Sequence, residues 1–142
     1  MADSYGNYNP TVANEFASGK MVDAGVRAFT KIFDLAADED AAGGTSNRLH
    51  VGRIVRGSVI QAEFKVATGA NLSAINLSLG TGGSAADHMA ATAGPNNTTA
   101  SYSILPAKQG VALTEDTDLY LTPSGNLPST GRIVVTIYAS KR

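Results

Sequence analysis

From residue 26 onward the side chains alternate, apolar then polar, in short runs that turn-forming residues keep interrupting. No helical period longer than two or three turns is visible. In "VIQAEFKV", Ile60, Ala62, Phe64 and Val66 fall on one side and Gln61, Glu63 and Lys65 on the other, the pattern of a half-buried strand. Ile75, Leu77 and Leu79 oppose Asn76 and Ser78 in the same way, and in "RIVVTIYA" Ile133, Val135, Ile137 and Ala139 share a face. Weaker runs begin at Val26, Arg48, Ala100 and Asp118. The pieces "DEDAAGGTSN", "ATGAN", "GTGGS", "AGPNN", "PAKQG" and "PSGNLPSTG" separate them as turns. The helices that parallel crossovers require are missing, so the pattern predicts an all-β fold. It specifies an antiparallel, jelly-roll-like β-sandwich of about seven to eight strands, with at most one or two short helices.

A chain of 142 residues matches one domain. The reading divides it into an extended N-terminal arm, 1–24, and a β-sandwich domain, 25–142. In the arm, Asn9 and Pro10 suit the start of a short helix with Val12 and Phe16 on one face. Tyr5, Tyr8, Pro10, Phe16 and Met21 are its candidate partner-binding residues, because tyrosine adds apolar area with a polar tip at low entropic cost. Phe29, Phe33 and Phe64 belong on inward faces.

Eleven Lys and Arg against twelve Asp and Glu leave a net charge of −1, without the dense positive field that a phosphate backbone demands. Nucleic acid is therefore not an expected partner. Nor is a membrane, since no run approaches the ~20 apolar residues of a span. "MADSYGNYNP" lacks the basic and apolar regions of a signal peptide, so synthesis in a cytoplasm is expected, and the sequons at Asn71, Asn76 and Asn97 read as polar strand and loop positions. With no cysteine, a packed core must hold the fold. Charged residues make up 16% of the chain against ~25% in ordinary soluble domains, and such a surface suits broad contact with neighbours.

The stretch "SLGTGGSAADHM", residues 78–89, formally fits a dinucleotide fingerprint, Gly80-Thr-Gly82-Gly-Ser-Ala85. That mechanism needs a helix facing the pyrophosphate and a ribose-binding acid about 20 residues on. Pro95 limits any helix over "SAADHMAAT" to two turns, and the next acid after Asp87 is Glu115. No lysine follows the glycines, and a backbone turn is the better reading. The neighbours Asp87 and His88 point apart in a short helix, and Ser84 lacks the G-x-S-x-G elbow that would present it as a nucleophile. His50 is the one other histidine and makes no zinc pair with His88. "DEDAAGG" from Asp38 misses the EF-hand ligands at Ala42 and Leu49, and "TEDTD" at 114–118 has the composition of an ordinary turn. The sequence thus gives no catalytic, cofactor-binding or metal-ligating residue and no cofactor.

Three segments carry a likeness to a known group: "RIVRGSVIQAEF", "NLSLGTGGSAADHMAAT" and "LTEDTDLYLTPSGNLPSTGRIVVTIYASKR", together covering roughly residues 53–142. In that order the chain resembles small virion structural proteins of tailed bacteriophages, including head-decoration proteins. The longer polar arm and the basic "SKR" depart from the group's pattern. The resemblance implies a non-enzymatic capsid decoration or cement protein on the virion surface. Its partners would be the major capsid protein, copies of itself, or both, in a homo-oligomer such as a trimer. A tail, neck or fibre component is the alternative within the virion, although no fibre-like repeats are present. A carbohydrate-binding or adhesion sandwich is the alternative outside it, although there is no tryptophan for stacking sugars.

Overall fold

The structure, a computed structural model, describes residues 3–4, 26–36 and 43–141. Ten strands follow one another among the described residues: β1 (Asp3–Ser4), β2 (Val26–Asp34), β3 (Arg48–Ile54), β4 (Ser58–Ile60), β5 (Glu63–Thr68), β6 (Asn76–Gly80), β7 (Met89–Ala93), β8 (Thr99–Ser103), β9 (Thr117–Pro123) and β10 (Arg132–Lys141). They form two sheets, one ordered β1-β3-β9-β6-β7 and the other β2-β10-β5-β8, with β4 also on β10. All pairings are antiparallel except that of β1, whose Asp3 and Ser4 lie parallel to Arg48 and Leu49.

The pairings nest. β6 pairs with β7, β5 with β8, β3 with β9 and β2 with β10, so the chain is one long folded-back hairpin. Rolling it up adds the contacts of β9 with β6 and of β10 with β5, which close the two sheets. This is the jelly roll, and the all-β sandwich expected from alternation is the fold.

The alternating residues fill the space between the sheets. Leu49, Leu77, Leu79, Leu119 and Leu121 come from one sheet, and Phe33, Phe64, Val66, Ile133, Val135 and Ile137 from the other, all 2% exposed or less. Phe64 stacks on Tyr102 with ring centres 5.6 Å apart. Phe29 packs at the edge of this core, where its ring lies so close over Gly52 that a Cβ there would meet it at 2.1 Å. Lys31 is also fully buried on β2, opposite Val135, and is not without a partner there.

Three details depart from the sequence reading. "SAADHMAAT" forms no helix: Met89–Ala93 is β7, because pairing with β6 satisfies its backbone and overrides the helical preference of its alanines. The run "VIQAEFKV" is broken at Gln61 and Ala62, where the register on β10 slips by two between Ile60↔Ala139 and Lys65↔Thr136. An even slip keeps Ile60, Phe64 and Val66 on the inner face. A one-residue bulge between His50 and Gly52 buries Val51 beside both of them. The arm residues Tyr5, Tyr8, Pro10, Phe16 and Met21, the short helix at Val12 and Phe16, and the acids Asp38, Glu39 and Asp40 lie outside the described residues.

Candidate functional site

The glycine stretch makes a turn with no helix behind it. β6 ends at Gly80, and the loop closes on itself through Thr81 N to Ser84 O at 2.9 Å, Ser84 N to Thr81 Oγ1 at 3.2 Å and His88 N to Leu79 O at 2.8 Å. It then feeds β7 back along β6. Gly80 is needed for close approach, since a Cβ would lie 2.1 Å from Ser84 O. A helix N-terminus aimed at a phosphate is absent, so the nucleotide motif has no structural counterpart here.

The loop forms one wall of an open cleft of about 600 Å³, and the segment Lys108–Asp118 forms the other. His88 stands between them, 3% exposed, with Nδ1 3.5 Å from Asp87 Oδ2. Lys108 Nζ holds the same carboxylate oxygen at 3.2 Å. Burial pushes the His88 imidazole below its usual range, against the pull of Asp87 and with help from Lys108, so it stays neutral near pH 7. Leu105 N donates to the His88 carbonyl at 2.6 Å and ties the two walls together.

The second histidine lies at the far end. His50 on β3 bonds through Nε2 to Asp118 Oδ1 on β9 at 3.0 Å, and its ring meets Tyr120 edge-on at 5.2 Å. Arg48 lies 4.0 Å above the Tyr120 ring and donates from Nη1 to Gly82 O at 3.1 Å. A cation over an aromatic face therefore locks the glycine loop to the sheet.

Chemically the cleft offers charge and shape. Among the described residues no hydrogen bond joins Ser84 to His88, and no group of three or more His, Asp or Glu is placed to hold a metal ion. Two of the three acids of "TEDTD" serve the backbone and His50: Asp116 Oδ1 accepts from Arg56 N at 2.8 Å, and Asp118 binds His50. Asn71 likewise caps its own turn, accepting from Ser73 N at 3.0 Å and Ser73 Oγ at 2.6 Å. Among the described residues, no helix is long and apolar enough to cross a membrane.

A feature the motif reading missed lies along the outer strands β7 and β8. Of all the Lys, Arg, Asp and Glu in the chain, only Asp87 falls within residues 66–107. That stretch supplies β6, β7 and β8, and β7 and β8 are the outer strands of the two sheets. Ala90, Ala91, Thr92 and Ala93 on β7, and Thr99, Ser101 and Ser103 on β8, are exposed. Tyr102 Oη bridges the two edges to Ala93 O at 3.0 Å, and burial holds its phenol above the usual range, hence neutral. The spacing of charges along the sequence was the available signal.

No protein-family model matches the chain, and no curated protein matches it in sequence. Two solved structures are similar in fold. A chain of the capsid of Ralstonia phage GP4 superposes with a TM-score of 0.64 at 12% identity, over 99% of this chain and 99% of that one. A chain of the cyanophage Pam1 capsid asymmetric unit gives 0.56 at 16% identity, over 96% of this chain and 99% of that one. At such identities the likeness establishes a shared jelly-roll sandwich, matched nearly end to end.

Proposed function

We propose that the chain is a non-enzymatic structural protein of a tailed-bacteriophage virion, a decoration or cement protein that binds and stabilises the assembled head. The observation that carries this reading is the end-to-end match to two phage capsid chains, each of which is covered almost completely by this fold. Both are therefore small sandwiches of about this length. The uncharged outer strands β7 and β8 support the same reading. Burying charged side chains costs several kcal/mol unless each finds a partner, and interface cores are depleted of them. Natural sheet edges exposed to water usually carry charges or proline to prevent strand addition, and the exposed faces of β7 and β8 carry neither.

On this reading the partners are the major capsid protein and further copies of the chain, and repetition over the shell turns weak contacts into lasting attachment. The arm beyond β1, with Tyr5, Tyr8, Pro10, Phe16 and Met21, reaches across a seam between capsid subunits. A clamp that binds only the assembled shell raises the work of taking a subunit out. Deleting residues 2–20 is expected to abolish binding to undecorated capsids while the far-ultraviolet dichroism remains that of a β-sandwich. Full retention of binding rejects the arm, and failure of the intact chain to bind capsids rejects the function.

A further inference from the structure

The cleft between the glycine loop and Lys108–Asp118 carries more negative charge than its walls answer. Four acids line it, Asp87, Glu115, Asp116 and Asp118, against Lys108, which Asp87 engages, and Arg48, which reaches in over Tyr120 to Gly82 O. Asp118 is bonded to His50, while Glu115 and Asp116 stand exposed on the rim, Glu115 with no side-chain partner among the described residues. His88 is almost wholly buried at the same cleft, and its Nδ1 has no hydrogen-bond partner. A buried polar atom without a hydrogen bond carries a cost. Beside the acids runs an apolar strip, Ile60, Val111, Ala112 and Leu113. Val111 is 52% exposed, one of two large apolar side chains so exposed among the described residues. The strip is pre-formed, because Leu113 N donates to Ser58 O at 2.9 Å, Gly57 N donates to Leu113 O at 2.9 Å, and Ala112 bridges to Val59.

We propose that this cleft docks an extended basic segment of a neighbouring virion subunit. Its Lys or Arg side chains lay their methylene stems on Val111 and Leu113 and set their charged heads among Glu115, Asp116 and Asp118. The charge decides the partner class: a phosphate backbone is repelled, and a bare metal ion lacks a ligand set here. The apolar strip decides against a small free cation, because it is the stem of a long cationic side chain that covers such a surface. The inference rests on the chain working among other virion subunits.

Titration calorimetry on the purified full chain tests it with two probes, the peptide Leu-Arg-Leu-Arg-Leu-Arg and its counterpart with Glu at each Arg. The basic peptide is expected to bind and the acidic one not. The paired substitution Glu115→Lys and Asp116→Lys should weaken the basic peptide by about tenfold, or ~1.4 kcal/mol, as should a rise from about 50 to about 500 mM salt. Val111→Ser, which leaves every charge in place, should weaken it about threefold by removing part of the stem's seat. Equal binding of the two peptides, or unchanged affinity in the charge-reversed variant, overturns the proposal. So does normal capsid coating by a charge-reversed variant that no longer binds the peptide. If the intact chain binds the peptide but not capsids, the cleft's chemistry stands and the capsid function fails.

Discussion

Replacing each of three glycines by alanine separates a tight turn from a ligand cradle. At Gly80 the new Cβ would lie 2.1 Å from Ser84 O and 2.5 Å from the carbonyl carbon of Ala85, where ordinary contact begins at 3.4 Å. Both obstacles are backbone, so the loop must withdraw by about an ångström against the bonds Thr81 N to Ser84 O and His88 N to Leu79 O. Overpacking of this kind costs ~1–3 kcal/mol, and a stretched hydrogen bond adds ~1. Alanine returns ~0.4–1 kcal/mol by restricting the unfolded chain. The net is a loss of about 2 kcal/mol, which for a domain of this size lowers the melting temperature by ~8 °C. Gly82 and Gly83 behave differently. The nearest atoms to a Cβ at Gly82 are Arg48 Nη1 at 3.7 Å and Tyr120 Cε2 at 3.8 Å, and at Gly83 there is open space. Neither has a positive φ. Gly82→Ala and Gly83→Ala should therefore stay within ~0.5 kcal/mol of the parent or gain slightly. Thermal and urea unfolding followed by circular dichroism measure all three. A neutral Gly80→Ala, or equal losses at all three positions, would refute the close-approach argument.

Two further perturbations follow from the core and the cleft. The His88 imidazole is held below its ordinary pKa of 6.5, so under acid the unfolded chain binds a proton that the folded chain resists. The stability is whole above 6.5 and declines as pH falls below it, and His88→Gln should flatten that decline between about pH 7 and pH 5; identical slopes in urea titrations would refute it. Phe64→Ala removes a fully buried ring stacked on Tyr102 and should cost ~3–5 kcal/mol in urea unfolding, a loss under 1 kcal/mol counting against the packing described.

Strands were legible where one face is buried. In β10, β5 and β6 the inward residues Ile133, Val135, Ile137, Phe64, Val66, Leu77 and Leu79 enforce a period of two that can be read directly. β7 was not legible, because four of its five residues are exposed and three are alanine, leaving no alternation to read. Its extended form comes from β6, a partner that no local pattern names. Lys31 stands on the same buried face as Phe33. The cleft was hidden for a different reason. His50 and Asp118 are 68 positions apart, Lys108 and Asp87 are separated by two strand lengths of chain, and no motif spacing describes a wall assembled from both.

The nested pairing also explains how a property of the sequence becomes a property of a surface. In a folded-back hairpin the middle of the chain supplies the innermost pairs, β6 with β7 and β5 with β8, and rolling the hairpin leaves these on one side of the sandwich. A stretch that holds Asp87 alone among its charges, 66–107, thus supplies two neighbouring edge strands without charge, β7 and β8, with Glu63 and Lys65 of β5 standing beside Ser103 and Ser101. The charged flanks, running through β2, β3 and β9, form the rest. The two regions obey different physics. Contacts on the uncharged strands bury no ions and are insensitive to screening, whereas contacts at the acidic cleft weaken once the Debye length falls to a few ångströms. On the proposed reading, permanent attachment belongs to the first region. The cleft adds a contact whose strength depends on charge, and it can select a basic neighbour over an acidic one because like charges placed together are penalised more than opposite charges are rewarded.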